Sequence, residues 1–152
     1  MRVFSVTTGV LANRHLWAAL AAWAIAQALK VLTSIRRGHR LDWSKLVGPG
    51  GMPSSHSAFV TGLAISIGIT EGWNSPGFAM ALVFAMVVMY DAAGVRRAAG
   101  KQARVLNQLV DAMFDEGHVP FGKLRELLGH TPLEVVAGAI LGAVTAWYLL
   151  GR

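Results

Sequence analysis

The sequence predicts an all-α integral membrane bundle of about four transmembrane helices with a cytoplasmic helical excursion. Three observations carry that prediction. Apolar residues make up 54% of the 152-residue chain and charged residues only 14%, whereas a soluble domain is about one-quarter charged. The charges leave long gaps: 15 uncharged residues separate Arg14 from Lys30, 25 separate Lys45 from Glu71, 19 separate Glu71 from Asp91 and 17 separate Glu134 from Arg152. A helix crossing a bilayer needs roughly 17–25 mostly apolar residues. The chain is also basic, with a formal net charge of +6, and a basic, apolar chain suits an anionic lipid surface better than nucleic acid. Together these values exclude a disordered chain, a coiled coil and an ordinary soluble enzyme. The absence of cysteine excludes a disulfide framework, a thiol nucleophile and a Cys-type zinc site.

Residues 1–152 form one domain by length. The first span is expected at about 16–35, with Lys30 near its end. The others are expected at about 56–72, 76–92 and 133–150. The stretch Val3–Ala12 is short and weakly apolar, which fits a cleavable signal peptide poorly. Within the spans, Ala18, Ala22 and Ala26 lie four apart, as do Gly138 and Gly142. Such spacing lets helices approach closely in lipid, and tight packing within the bundle is preferred here to a dimer motif. Two long connections remain. In the second, Leu106, Leu109, Val110, Met113 and Phe114 form an apolar stripe that predicts a helix over 98–116 with Gly117 as its stop, and a short helix is expected over 121–128, ended by Gly129.

Four spans put both long connections on one membrane face. That face carries Arg36, Arg37, Arg40, Lys45, Arg96, Arg97, Lys101, Arg104, Lys123 and Arg125, against Arg2, Arg14 and Arg152 on the other. The asymmetry places the connections in the cytoplasm and both termini outside.

The chemistry-bearing residues crowd the same face. In Gly50-Gly51-Met52-Pro53-Ser54-Ser55-His56-Ser57, Ser54 or Ser55 is a natural N-cap and an apolar helix begins at His56. A helix start with serine hydroxyls is an anion site, and a histidine in its first turn can protonate a leaving oxygen. A plain cap beside an incidental interfacial histidine is the competing account. In Gly129-His130-Thr131-Pro132-Leu133-Glu134, Thr131 is a good N-cap, Pro132 a good first residue, and Glu134 completes a capping box. His130 precedes this second helix start, whose dipole favours the neutral, nucleophilic imidazole. Glu134, four residues on, either holds the imidazole tautomer or only caps the helix; the sequence does not separate the two. Lys30, inside its span, either pairs with an anion or snorkels to the interface. Arg96 and Arg97 follow the third span as phosphate-binding or merely juxtamembrane cations. His15, His39 and His118 read as surface residues, and no metal-ligand set or Walker loop is present.

These segments resemble the divergent branch of the type 2 phosphatidic acid phosphatase superfamily, whose wider membership includes vanadium haloperoxidases. The superfamily pattern is KxxxxxxRP, PSGH and SRxxxxxHxxxD. Lys30 to Arg37 matches the first spacing, with Gly38 for proline; Pro53-Ser54-Ser55-His56 matches the second, with Ser55 for glycine; His130 to Glu134 matches the end of the third, with Glu for Asp. The third-motif arginine is displaced: Leu124 stands six before His130, Arg125 is one position off, and Arg96 or Arg97 is assigned the role, with 98–129 inserted. The resemblance implies a metal-independent, cofactor-free membrane lipid phosphatase in the cell membrane. Lys30, Arg37, Ser54, Ser55 and Arg96 or Arg97 would hold phosphate oxygens. His130 would become phosphohistidine, oriented by Glu134, and His56 would protonate the leaving alcohol and then activate water. The implied partners are a lipid phosphate substrate, such as phosphatidylglycerophosphate, phosphatidate or a polyprenyl phosphate, and membrane lipids, without nucleic acid; homo-oligomerisation is left open. The rival accounts are a non-catalytic lipid binder that keeps the cradle, a structural or transport protein, and a haloperoxidase.

Overall fold

A computed structural model describes residues 9–36, 51–113 and 129–151 of the chain. Among them all regular structure is helical: α1 (Arg14–Arg36), α2 (Ser55–Glu71), α3 (Pro76–Ala93), α4 (Val95–Met113) and α5 (Pro132–Leu150). The expected spans coincide with α1, α2, α3 and α5 within about two residues, the ordinary uncertainty of helix ends. The runs Arg14–Thr33, Pro76–Met113 and Pro132–Leu150 each contain a stretch long and apolar enough to cross a membrane. The second expected span falls on α2, whose 17 residues reach about 25 Å at 1.5 Å per residue, the lower limit for a crossing.

The helix starts follow from their caps. Ser54 accepts from Ser57 N–H at the start of α2. Ser75 accepts from Phe78 N–H ahead of Pro76. Thr131 and Glu134 make the reciprocal capping box ahead of α5, which satisfies two orphan donors at once. Gly72 closes α2 at φ +96°, a backbone region that favours glycine.

α2 lies at the centre, packed on α1, α3 and α5. Its packing is built from small residues. Ala18, Ala19, Ala22 and Ala26 of α1, Ala58 and Ala64 of α2, Ala85 of α3 and Ala146 of α5 are buried, and among the described residues the largest wholly buried side chains are the serines Ser54, Ser57 and Ser66. A Cβ on Gly138 would collide with the Ser54 carbonyl, and one on Gly142 with the Ala58 carbonyl. Backbone therefore meets backbone where α5 crosses α2. The four-residue spacing of small residues thus serves tight packing within the chain. Large apolar side chains point outward instead, among them Met80, Val83, Phe84 and Val87 of α3 and Ile140 and Val144 of α5. An interior of alanine, glycine and serine under an apolar exterior is the pattern of helices that associate in lipid, where close approach replaces hydrophobic burial.

The two ends of the bundle differ. At one end Lys30, the start of α2, the end of α3 and the start of α5 come together, so both long connections leave from that end. At the other stand Trp17, Trp73, Trp147 and Tyr148, all exposed, the placement of an aromatic belt at a membrane interface. Trp73 folds over Gly68 and meets Phe78 edge-on, centroids 5.1 Å apart.

α4 starts at Val95, three residues earlier than the sequence predicts, because only Gly94 separates it from α3. Its predicted stop at Gly117 and the short helix over 121–128 lie outside the described residues.

Candidate active site

The site is assembled where two helix N-termini converge. The backbone N–H of Ser54, the N-cap of α2, donates to the carbonyl of Glu134 in the first turn of α5 at 2.9 Å. The N–H of His130 donates to the carbonyl of Ala92 near the end of α3 at 3.2 Å. Main-chain bonds thus fix the histidine segment against two other helices. Paired helix starts present orphan N–H groups and the positive ends of two dipoles, which favours an anion.

Lys30 reaches this junction from α1. It is buried, and its Nζ donates to Ser55 Oγ at 2.9 Å. The side chain is therefore turned into the bundle, not snorkelled outward. Gly51, at φ +90°, lies over the aliphatic stem of Lys30, and Thr33 Oγ1 donates to the Met52 carbonyl at 3.2 Å. The segment entering α2 is thus laid across the end of α1.

Ser54 is the cap and Ser55 the first helical residue, which settles the choice the sequence left open. The Ser54 hydroxyl accepts from Ser57 N–H and from Ser57 Oγ–H at 3.0 Å. Its oxygen is thus committed to local structure, whereas Ser55 couples to the lysine. Ser57, which the sequence reading passed over, completes this buried serine cluster.

His130 is buried, and its Nδ1 lies 3.1 Å from Glu134 Oε2. The same Oε2 accepts from Thr131 N–H at 3.0 Å. One oxygen of Glu134 thus stands in both places that the sequence could not separate: it closes the capping box and lies against the imidazole. An ionised carboxylate only accepts, so in the neutral imidazole Nδ1 carries the proton and Nε2 the lone pair. His56, the exposed residue of the otherwise buried first turn of α2, has its ring centroid 6.2 Å from that of His130.

Lys30, Ser54, Ser55, His56, His130 and Glu134 are thus brought to one place. Arg96 and Arg97 stand in the first turn of α4, two and three residues beyond Gly94. Arg37 and Arg125 lie outside the described residues.

A sequence model of the divergent PAP2 family matches residues 11–145, a stretch that holds every residue of this junction. The chain belongs to the divergent PAP2 family. It is also 42% identical over 144 residues to the uncharacterized membrane protein YuiD of Bacillus subtilis (strain 168), with 88% of this chain and 91% of that protein covered. No solved structure matches the chain.

Proposed function

We propose that this member of the divergent PAP2 family is a metal-independent phosphatase of lipid phosphates, acting at the cytoplasmic face of the cell membrane through a phosphohistidine intermediate. The observation that carries the proposal is the pairing of His130 Nδ1 with Glu134 at a junction of two helix starts and a buried lysine. In the first step His130 Nε2 attacks phosphorus. The N–P bond forms as the bond to the lipid oxygen breaks, and His56 gives that oxygen its proton. In the second step His56 takes a proton from water, whose oxygen displaces the imidazole and releases inorganic phosphate. The Lys30 ammonium, the Ser55 hydroxyl, Arg37 and one of Arg96 and Arg97 offset charge on the transferring group, work done elsewhere by magnesium. Glu134 stabilises the charge on the imidazole as it develops.

Inner-leaflet phosphomonoesters such as phosphatidylglycerophosphate and phosphatidate fit the charge asymmetry of the connections, which favours a cytoplasmic site. The test is phosphate release by the purified protein in detergent, over a panel of lipid phosphomonoesters and diphosphates. Turnover that disappears in His130→Ala supports the assignment; full activity of that variant overturns it. Loss in Arg96→Ala or Arg97→Ala that exceeds the loss in Arg125→Ala supports the displaced arginine, and the reverse order removes it. Because the chain has no cysteine, the orientation is read from single-cysteine labelling in intact cells. Cysteines at Gly38 and Lys123 are expected to be shielded from an impermeant reagent, and one at Asn74 to react.

A further inference from the structure

The loop face of the bundle carries an element of which the phosphatase reading uses only the first turn, with Arg96 and Arg97. α4 follows α3 after a single residue, so its first turn lies where a membrane-spanning helix ends. It cannot itself cross a bilayer, because its 19 residues include Arg96, Arg97, Lys101, Arg104 and Asp111. At 100° per residue its charged residues fall on one side. Val95, Val105, Leu106, Leu109 and Met113 fall on the other.

That apolar stripe is not what seats the helix on the bundle. Gly100 and Asn107, from the polar side, are buried. Leu106 and Leu109 are about half exposed, and Met113 is 78% exposed. The helix turns a polar edge to the protein and leaves its large apolar side chains outside. Four cations against one carboxylate match an anionic partner, and they sit on the face where the cation-rich connections leave. A basic helix with an uncovered apolar stripe, starting at a bilayer surface, has the features of a helix that lies in the headgroup layer.

We propose that α4 is a membrane-surface helix. Val105, Leu106, Leu109 and Met113 enter the acyl–headgroup boundary of an anionic leaflet, and Lys101 and Arg104 remain among the lipid phosphates. The occupant of the stripe is the bilayer, not a protein. This is independent of turnover, since it requires no reaction at His130.

The test uses the full-length chain with single cysteines at Leu106, Leu109 or Met113, and at Gln108 as the polar-side control. Each carries an environment-sensitive fluorophore and is reconstituted in vesicles of phosphatidylglycerol and phosphatidylcholine. The stripe labels are expected to emit to the blue of the Gln108 label. They should be quenched by shallow spin-labelled lipids and protected from aqueous iodide, with the opposite pattern at Gln108. Lys101→Gln with Arg104→Gln should shift the stripe labels toward water, by about fivefold per cation in the ratio of docked to undocked helix. The same shift should appear when phosphatidylglycerol is replaced by phosphatidylcholine. Equal iodide quenching at all positions would mean that the stripe faces water. Protection from both iodide and lipid quenchers would mean that another part of the chain or a second copy covers it. Either result overturns the proposal. A stripe that reads as lipid-docked in the inactive His130→Ala variant separates this inference from the phosphatase reading.

Discussion

The described residues hold two histidine–glutamate pairs, one at each end of the bundle, and their surroundings differ. At the loop end, His130 Nδ1 and Glu134 Oε2 are 3.1 Å apart within one helix start, with side-chain exposures of 4% and 21%. At the aromatic end, His15 Nε2 and Glu71 Oε1 are 3.6 Å apart between two helices, with exposures of 17% and 49%. The length of α2 separates them, about 25 Å. The second pair uses both ring nitrogens of its histidine: Nδ1 faces Ser66 Oγ at 3.3 Å, and Nε2 faces Thr70 Oγ1 at 3.5 Å as well as Glu71. Glu71 is the last residue of α2, at the negative end of its dipole, whereas Glu134 lies in the first turn of α5, at a positive end. The first pair has a buried lysine and two helix starts around it. The difference teaches that a carboxylate beside an imidazole is not enough; the charge and dipoles around the pair decide whether an anionic phosphoryl group is welcome.

The largest expected effect breaks the comparison if it fails. His130→Ala should lower phosphate release from lipid phosphates by about 10⁶-fold, the scale on which loss of a nucleophile in a preorganised site is felt. His15→Ala should leave release unchanged. His56→Ala should be nearly as severe on alkyl phosphate lipids but much milder on an aryl phosphate, whose leaving group needs little protonation. Equal loss on both substrates would remove His56 from the role of acid.

Glu134→Gln sharpens the comparison next. Glutamine still accepts from Thr131 N–H, so the cap persists, while the charge beside His130 is lost. Turnover should fall by about 10²–10⁴-fold, with little change in melting temperature. Glu134→Ala should add a stability loss of about 1 kcal/mol from the missing cap, measured by thermal unfolding in detergent. If Glu134→Gln turns over normally, the carboxylate only caps the helix.

Much of this was legible in the sequence, for physical reasons. Charge-free runs marked the four apolar helices. Ser54-Ser55 and Thr131-Pro132 with Glu134 marked two starts closely, because caps are local chemistry. The convergence of Lys30, His56 and His130 came from the family pattern, not from spacing, since three helices must meet to produce it. His15 was misread as a surface residue. It follows Arg14 at a helix start, and its partners Ser66 and Thr70 lie 51 and 55 positions away on another helix. The spacing of Ser66 and Thr70, four apart on α2, was the available signal. The Ser54–Glu134 main-chain bond had none, because any residue types can supply it.

Packing distinguishes the two ends as well. Gly138→Ala drives a Cβ into the carbonyl of Ser54, which cannot yield without parting the two helix starts. It should cost about 1–3 kcal/mol and lower turnover with stability. Gly68→Ala meets the indole of Trp73, which is 52% exposed and free on one side to swing away. It should cost less than about 1 kcal/mol and leave turnover intact. Equal losses in thermal unfolding would show that the aromatic end is as rigidly built as the site.

The smallest effect is expected at the second pair itself. Glu71 is half exposed, so its attraction to His15 is screened by solvent, and exposed pairs contribute about 0–1 kcal/mol. Glu71→Gln should therefore shift the melting temperature only slightly and leave phosphate release alone. The reason is electrostatic as much as geometric. The carboxylate sits at a helix C-terminus that already repels it, so neutralising it removes an unfavourable contact together with a weak favourable one. A measured gain in stability would fit that balance. A fall in turnover to the level of Glu134→Gln would not, because Glu71 stands at the other end of α2, about 25 Å from the loop-end pair. It would mean that the outer histidine serves the reaction, and that the contrast between the two ends had been drawn the wrong way round.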